Sequence, residues 1–238
     1  MTRMPVISAL AAMALLSGCD ATKHAKDVQP SGFLGEYRSL LQPGKEGTWD
    51  PLRVYRNPKT DFAAIKKIQL EPVTIWSQPS STLSPEQKED LQRLADYFYN
   101  LLYVKLGQDY EMVQKPTPGT VRVQVAITHG EESVTALAFM SKVAPTAQIV
   151  NALWAFAADK PSTLFVGDVT VEFMAHDSQT GELLTAGADR RVGGRNLFDK
   201  EVFNSWGDVK NSLEFWSDAT VYRLCLIRRG ADCVKPNA

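Results

Sequence analysis

Apolar residues recur at helical spacing between Ser84 and Gly107, at Leu91, Leu94, Ala95, Phe98, Leu101, Leu102 and Leu106. This pattern predicts a long amphipathic helix, with Ser84 as N-cap, Pro85 at the first helical position, Gln87 completing a capping box and Gly107 as the stop. Tyr97, Tyr99 and Tyr103 flank the stripe; packing at the core boundary is the simplest role for them, and lining a ligand groove is the alternative. A second stripe, Val209, Leu213, Trp216, Thr220, Leu224 and Ile227, predicts a closing helix from about Asp208 to Gly230, with Arg228 and Arg229 suited to its negative end.

Elsewhere the period is two. Val121, Val123, Val125 and Ile127 alternate with Arg122, Gln124 and Thr128, which predicts a half-buried strand. Val169, Val171, Phe173 and Ala175 alternate in the same way before a polar turn from Asp177 to Gly181, so residues 166–194 read as a hairpin. Glu172, opposite that apolar row, is expected to face water. Lys67 to Trp76 has strand composition, yet Pro72 has no amide hydrogen to donate, which predicts an edge or bulged strand. SGFLGEYRSLLQPG, from Ser31 to Gly44, mixes apolar residues with turn formers and reads as irregular chain docked on the domain. Lys142 to Lys160 is strongly apolar, but its charge-free part, Val143 to Ala158, contains Pro145, Gln148 and Asn151 and falls short of the roughly 20 apolar residues that span a bilayer. A core helix, or a surface helix for lipid or a partner, fits it. The element order predicts an α/β (α+β) fold, a single mixed or mainly antiparallel sheet covered by about three helices.

With 238 residues, 44% hydrophobic and 22% charged, the chain can build a sizeable core, and a formal net charge of −1 offers no attraction to nucleic acid. The first 18 residues have a different logic: Arg3 supplies a positive end, and Pro5 to Leu16 a short apolar centre, the layout of a secretory signal. LLSGC, ending at Cys19, resembles the bacterial lipobox. That resemblance implies cleavage before Cys19, lipid on its sulfur and acylation of its amine, and more than one chain is what holds a protein stably on a membrane. Asp20 resembles the residue that retains lipoproteins in the inner membrane of enteric bacteria. The expected organisation is a signal peptide over 1–18, a lipidated flexible tether over 19–31 and one domain over 32–238, placed in the bacterial envelope and facing the periplasm.

Candidate chemistry is sparse. Cys225 and Cys233 could pair in an oxidising compartment, a bridge worth about 2 to 3 kcal/mol by chain entropy, or remain two free thiols. A zinc site would need more ligands than two sulfurs, and His24, His129 and His176 are scattered. No G-x-S-x-G, H-E-x-x-H, G-x-x-x-x-G-K-[ST] or G-x-G-x-x-G occurs, so no catalytic residue, metal or cofactor is assigned. Asp168 and His176 stand about 26 Å apart on one strand, too far to act as a pair. Arg190, Arg191 and Arg195, around the glycines of DRRVGGR, could clamp a carboxylate or phosphate, since guanidinium forks match such anions. The simpler reading is a solvated loop.

SGFLGEY (31–37), VYRNPKTDFAAIKKIQLEPVTIW (54–76), VRVQVAI (121–127), VEFMAHDSQTGELL and the later DRR and GGR together resemble a family of proteobacterial envelope lipoproteins with a domain of unknown function. The resemblance brings no activity or catalytic residues. The order of elements is also similar to small α/β domains of envelope lipoproteins that activate or assemble periplasmic machinery, an analogy of fold alone. Three functions follow as expectations: a non-enzymatic tethered module binding an envelope protein; a carrier or sensor of a small apolar ligand or lipid; and, last, a hydrolytic enzyme.

Overall fold

A computed structural model describes residues 22–29, 31–76, 84–128, 139–140, 168–193 and 206–236. In chain order the elements are β1 (Thr22–His24), β2 (Gln42–Pro43), β3 (Arg53–Arg56), β4 (Lys67–Leu70), β5 (Thr74–Trp76), α1 (Pro85–Leu106), β6 (Glu111–Met112), β7 (Thr120–Thr128), β8 (Phe139–Met140), β9 (Asp168–Asp177), β10 (Leu183–Gly193) and α2 (Trp206–Arg229). Short 3₁₀ helices cover Gly35–Leu40 and Phe62–Ala64.

One mixed sheet contains every described strand. Its main path runs β2, β3, β10, β9, β7, β4, β6; β1 adds to β10, and β5 bridges β7 and β8. β3, β10, β9 and β7 are each antiparallel to the next, whereas β4 and β5 run parallel to β7. The result is the α+β fold that the two periodicities predict. Pro72 has the expected effect: from Leu70 to Thr74 this chain advances one residue more than its partner advances from Val123 to Ala126, so the surplus residue bulges out and splits the strand in two.

α1 has the bounds set by Pro85 and Gly107, and α2 begins slightly ahead of the expected Asp208. Both lie on one face of the sheet, which we call the front. Leu94, Phe98 and Leu102 of α1 and Leu213, Trp216 and Ala219 of α2 share a core with Ile68, Ile75, Val125, Ile127 and Val171. Lys105 of α1 pairs with Asp218 of α2, and Tyr97 donates a 2.7 Å hydrogen bond to Glu214. Tyr97 and Tyr99 are buried, and Tyr99 stacks on Tyr103. Cys225 and Cys233 form a disulfide across 5.9 Å between Cα atoms, which ties the tail to the last turns of α2. The expected helix over 142–160 lies outside the described residues.

The back of the sheet corrects two expectations. Residues 19–31 were expected to be a flexible tether, but Thr22, Lys23 and His24 are in antiparallel register with Gly193, Val192 and Arg191. The Ala25 amide continues the pairing with a 2.9 Å bond to the Arg190 carbonyl, and Val28 is buried with Leu34, Met174, Ala186 and Ala188. An edge strand of β10 left open by β3 is the physical reason: polar residues such as Thr22 and Lys23 can pair through their backbone without any apolar pattern. The docking of Ser31 to Gly44 follows the same path, with Phe33, Tyr37 and Leu41 packed on that second cluster.

The other correction is Glu172. It sits on the face opposite the helices as alternation requires, yet it is only 1% exposed, because the strap from Thr22 to Leu41 covers that face. An amphipathic strand reports which side is polar, not whether something later lies on it.

Candidate functional site

The front core is not filled. Between the sheet and the two helices lies a cavity of about 170 Å³. Its floor is built from alternate residues of two adjacent strands, Val121, Val123 and Val125 of β7 and Val171, Phe173 and Ala175 of β9, and from Leu184 and Asp189 of β10, which a register shift between Leu183 and Thr185 brings to the same face. Phe98, Leu102 and Leu106 of α1 and Trp216, Leu224 and Ile227 of α2 form the roof. The period of two in the strands and the period near four in the helices thus converge on one apolar volume. Ile227 is 42% exposed although it lines the cavity, which places an opening beside the C-terminal end of α2, next to Phe62 and Ile65.

Gly187 shapes this floor. A Cβ there would stand 2.6 Å from two carbons of the Phe173 ring and 3.0 Å from the Arg53 carbonyl oxygen, so only glycine lets that ring lie across β10. Trp49, another wall residue, has φ of 60°, a left-handed backbone that costs a bulky residue energy and persists only where neighbours hold it. Here its ring packs against Phe215, with centroids 5.7 Å apart, and its carbonyl accepts a 3.0 Å bond from Arg223.

Three charged side chains reach the wall, Arg56, Asp189 and Arg223, and all three are already engaged. Asp189 accepts from the Trp216 indole at 2.7 Å and the Leu52 amide at 3.1 Å, with His24 Nε2 at 3.4 Å. Arg56 pairs with Asp50 at 2.5 Å, an arrangement whose hydrogen bonds hold the Asp50 carboxyl below its usual range against the opposing effect of burial. Arg223 also donates to Thr220 Oγ1 at 3.1 Å; burial lowers it to about 10, against the pull of Asp189 and Asp50.

A second polar cluster lies under the strap. Ser31 Oγ donates to Glu172 Oε2 at 2.6 Å, and Arg38 Nη1 stands 3.7 Å from Glu172 Oε1. Burial raises the Glu172 pKa, and the Ser31 bond and the Arg38 charge offset only part of that. His176 lies against the Tyr37 ring, with centroids 5.6 Å apart, and burial followed by the Arg122 charge lowers its pKa. Among the described residues no three His, Cys, Asp or Glu side chains gather as a metal site would require.

Arg190 and Arg191, two of the three arginines named from sequence, are not brought together. Arg190 and Arg191 are consecutive in β10, so they point to opposite faces. Arg190 pairs with Asp27 of the strap at 3.6 Å, and Arg191 is buried against the Phe215 ring at 3.7 Å. Their stretch is strand up to Gly193 rather than the solvated loop expected, because β1 and β9 pair with it on both sides. Arg195 lies outside the described residues, as do Cys19 and Asp20. The turn residues stand where the hairpin needs them: Asp177 accepts from the amides of Gln179 and Thr180, which lowers its pKa, and Gly181 takes φ of 73°.

The cavity residues were legible one element at a time, but their convergence was not, since strand order cannot be read from alternation. Asp189 and Arg191 stand on the row of β10 opposite Ala186 and Ala188, where alternation alone does not tell them from solvent-facing charges.

Fold and cavity define the class, a single helix-covered mixed sheet with an apolar space under the helices. The chain belongs to the DUF3313 family of proteins of unknown function, whose family model it matches over residues 29–220. No curated protein matches it. Among solved structures it is similar to a PelC dodecamer from Paraburkholderia phytofirmans, at 10% identity and a TM-score of 0.33, covering 74% of this chain and 95% of that one. A DUF4136 family protein from Bacteroides thetaiotaomicron is 11% identical with a TM-score of 0.30, over 75% of this chain and 96% of that one. At those scores neither carries an argument about function.

Proposed function

We propose that this chain is a non-enzymatic binding module, lipidated at Cys19 and held on the envelope membrane, whose cavity takes a small uncharged apolar ligand. The cavity is the observation that carries the reading. An engineered apolar cavity of about 150 Å³ in another protein stays dry and takes up benzene, so 170 Å³ of comparable lining offers room for one ring system or one short alkyl segment. A whole membrane lipid is too large for it. An uncharged ligand suits this wall, where Arg56 is paired with Asp50, Asp189 is held by the Trp216 indole, and Arg223 donates to the Trp49 carbonyl and the Thr220 hydroxyl.

The tether supports the same picture from the sequence side. LLSGC precedes a chain with no G-x-S-x-G or H-E-x-x-H motif, and binding at a membrane needs neither. Cavity and lipobox together favour a carrier or sensor over a module that only docks a protein.

Native mass spectrometry of the chain from Asp20 onward, prepared from cells without detergent, should show a neutral apolar adduct, and added naphthalene should bind as a probe. Gly187→Ala forces the Phe173 ring towards the cavity, and roughly tenfold weaker naphthalene binding is expected. A chain that carries no adduct and takes no naphthalene removes the ligand from the proposal.

A further inference from the structure

We propose that the β1 end of the sheet rests against the lipid headgroups of the membrane that anchors the chain, so that the cavity opens away from that membrane. This rests on lipidation at Cys19. Only Asp20 and Ala21 stand between Cys19 and Thr22, the first residue in register with Gly193. Fully extended, chain of that length spans at most about 11 Å from one Cα to the other, only a few ångströms more than a headgroup layer roughly 5 to 8 Å deep. A tether free through Ser31 would reach about 40 Å and leave the domain unoriented.

The strap does not lengthen this leash, because it is held at successive points. β1 pairs at three register positions, Ala25 bonds to Arg190, Arg38 donates to the Val28 carbonyl at 2.8 Å, and Ser31 donates to Glu172. Gly193 ends β10 at the anchored edge, and Leu184 lies nine residues back along the strand, about 30 Å away. Phe62 and Ile65 pack with Leu184 and Ala175 at that distal level, and they flank the cavity opening. The hairpin turn around Gln179 is therefore the end farthest from the bilayer. An apolar ligand reaches such an opening through the aqueous space, handed over by a soluble donor, rather than sliding in from the anchoring leaflet.

The test uses the lipidated chain purified from its membrane and reconstituted in phosphatidylethanolamine and phosphatidylglycerol vesicles carrying a headgroup-attached energy acceptor. Donor dyes go on Lys26→Cys and Gln179→Cys, both exposed positions. Transfer should be several-fold stronger from position 26 than from position 179, and a ten-residue Gly-Ser insertion after Asp20 should erase the difference. Vesicle flotation separates the two premises. A chain that does not float overturns the anchor and this orientation with it. A chain that floats but transfers equally from both positions, or more strongly from 179, overturns the orientation alone.

Discussion

The two faces of the sheet are covered in opposite ways. In front, α1 and α2 bring long apolar side chains to apolar strands and still leave a space of about 170 Å³. Behind, a strap with one short strand and one 3₁₀ helix brings Ser31 against Glu172 and Tyr37 against His176, and Ser31, Glu172 and His176 are buried. The front is tied mainly by dispersion and desolvation, which have no directional requirement and tolerate a void. The back depends on a few directional bonds between groups that resist burial unless paired. A ligand can enter the first kind of interface at little cost, whereas the second either holds or lets go.

This contrast predicts that deleting apolar mass in front has the largest effect. Phe98 is 1% exposed and lines the cavity from α1; Phe98→Ala is expected to destabilise by about 3 to 5 kcal/mol in urea unfolding, near the upper end because the new void merges with the existing one. A loss below 1 kcal/mol would mean that the front collapses readily and holds no lasting cavity.

Behind, one hydroxyl should matter less but measurably. Ser31→Ala removes the 2.6 Å donor to Glu172 and the acceptor of the Phe33 amide; a buried group stripped of its partner costs about 1 to 3 kcal/mol. Hydrogen exchange at Ala25 should rise together with that loss, since the strap opens as a unit if its polar anchor fails. Protection at Ala25 that survives the substitution would show that β1 pairing alone secures the strap.

The smallest effect, and the one that separates the faces most cleanly, is the response to pH. The folded pKa of Glu172 is raised above its ordinary 4.5. The folded chain therefore keeps the proton after the unfolded chain has released it. The stability this confers is complete below pH 4.5 and is lost as pH rises through the folded value. His176 acts the other way: its lowered pKa contributes stability present above 6.5 and lost as pH falls. Urea midpoints for wild type and Glu172→Gln, followed between about pH 4 and pH 8, should converge at the acid end and diverge upward, the wild type falling relative to the variant, because His176 contributes to both. Parallel curves would place Glu172 in water, as its strand pattern alone suggested.

What the sequence determined was the long elements and their polarity. Helical spacing around Phe98, Pro85 and Gly107 at the ends of α1, alternation through β7 and β9, the Asp177 turn and the break at Pro72 all act over a few residues, so a one-dimensional pattern carries them. Tertiary structure alone decided what faced what. β1 joined an open edge through backbone bonds that no side chain announces, the strap turned the polar side of β9 into an interior, Arg191 was buried against Phe215 while Arg190 met Asp27 of the strap, and side chains from eight elements met around one void. Those outcomes depend on contacts between residues far apart in the chain, where the free energy of burial is set by the partner and not by the residue itself.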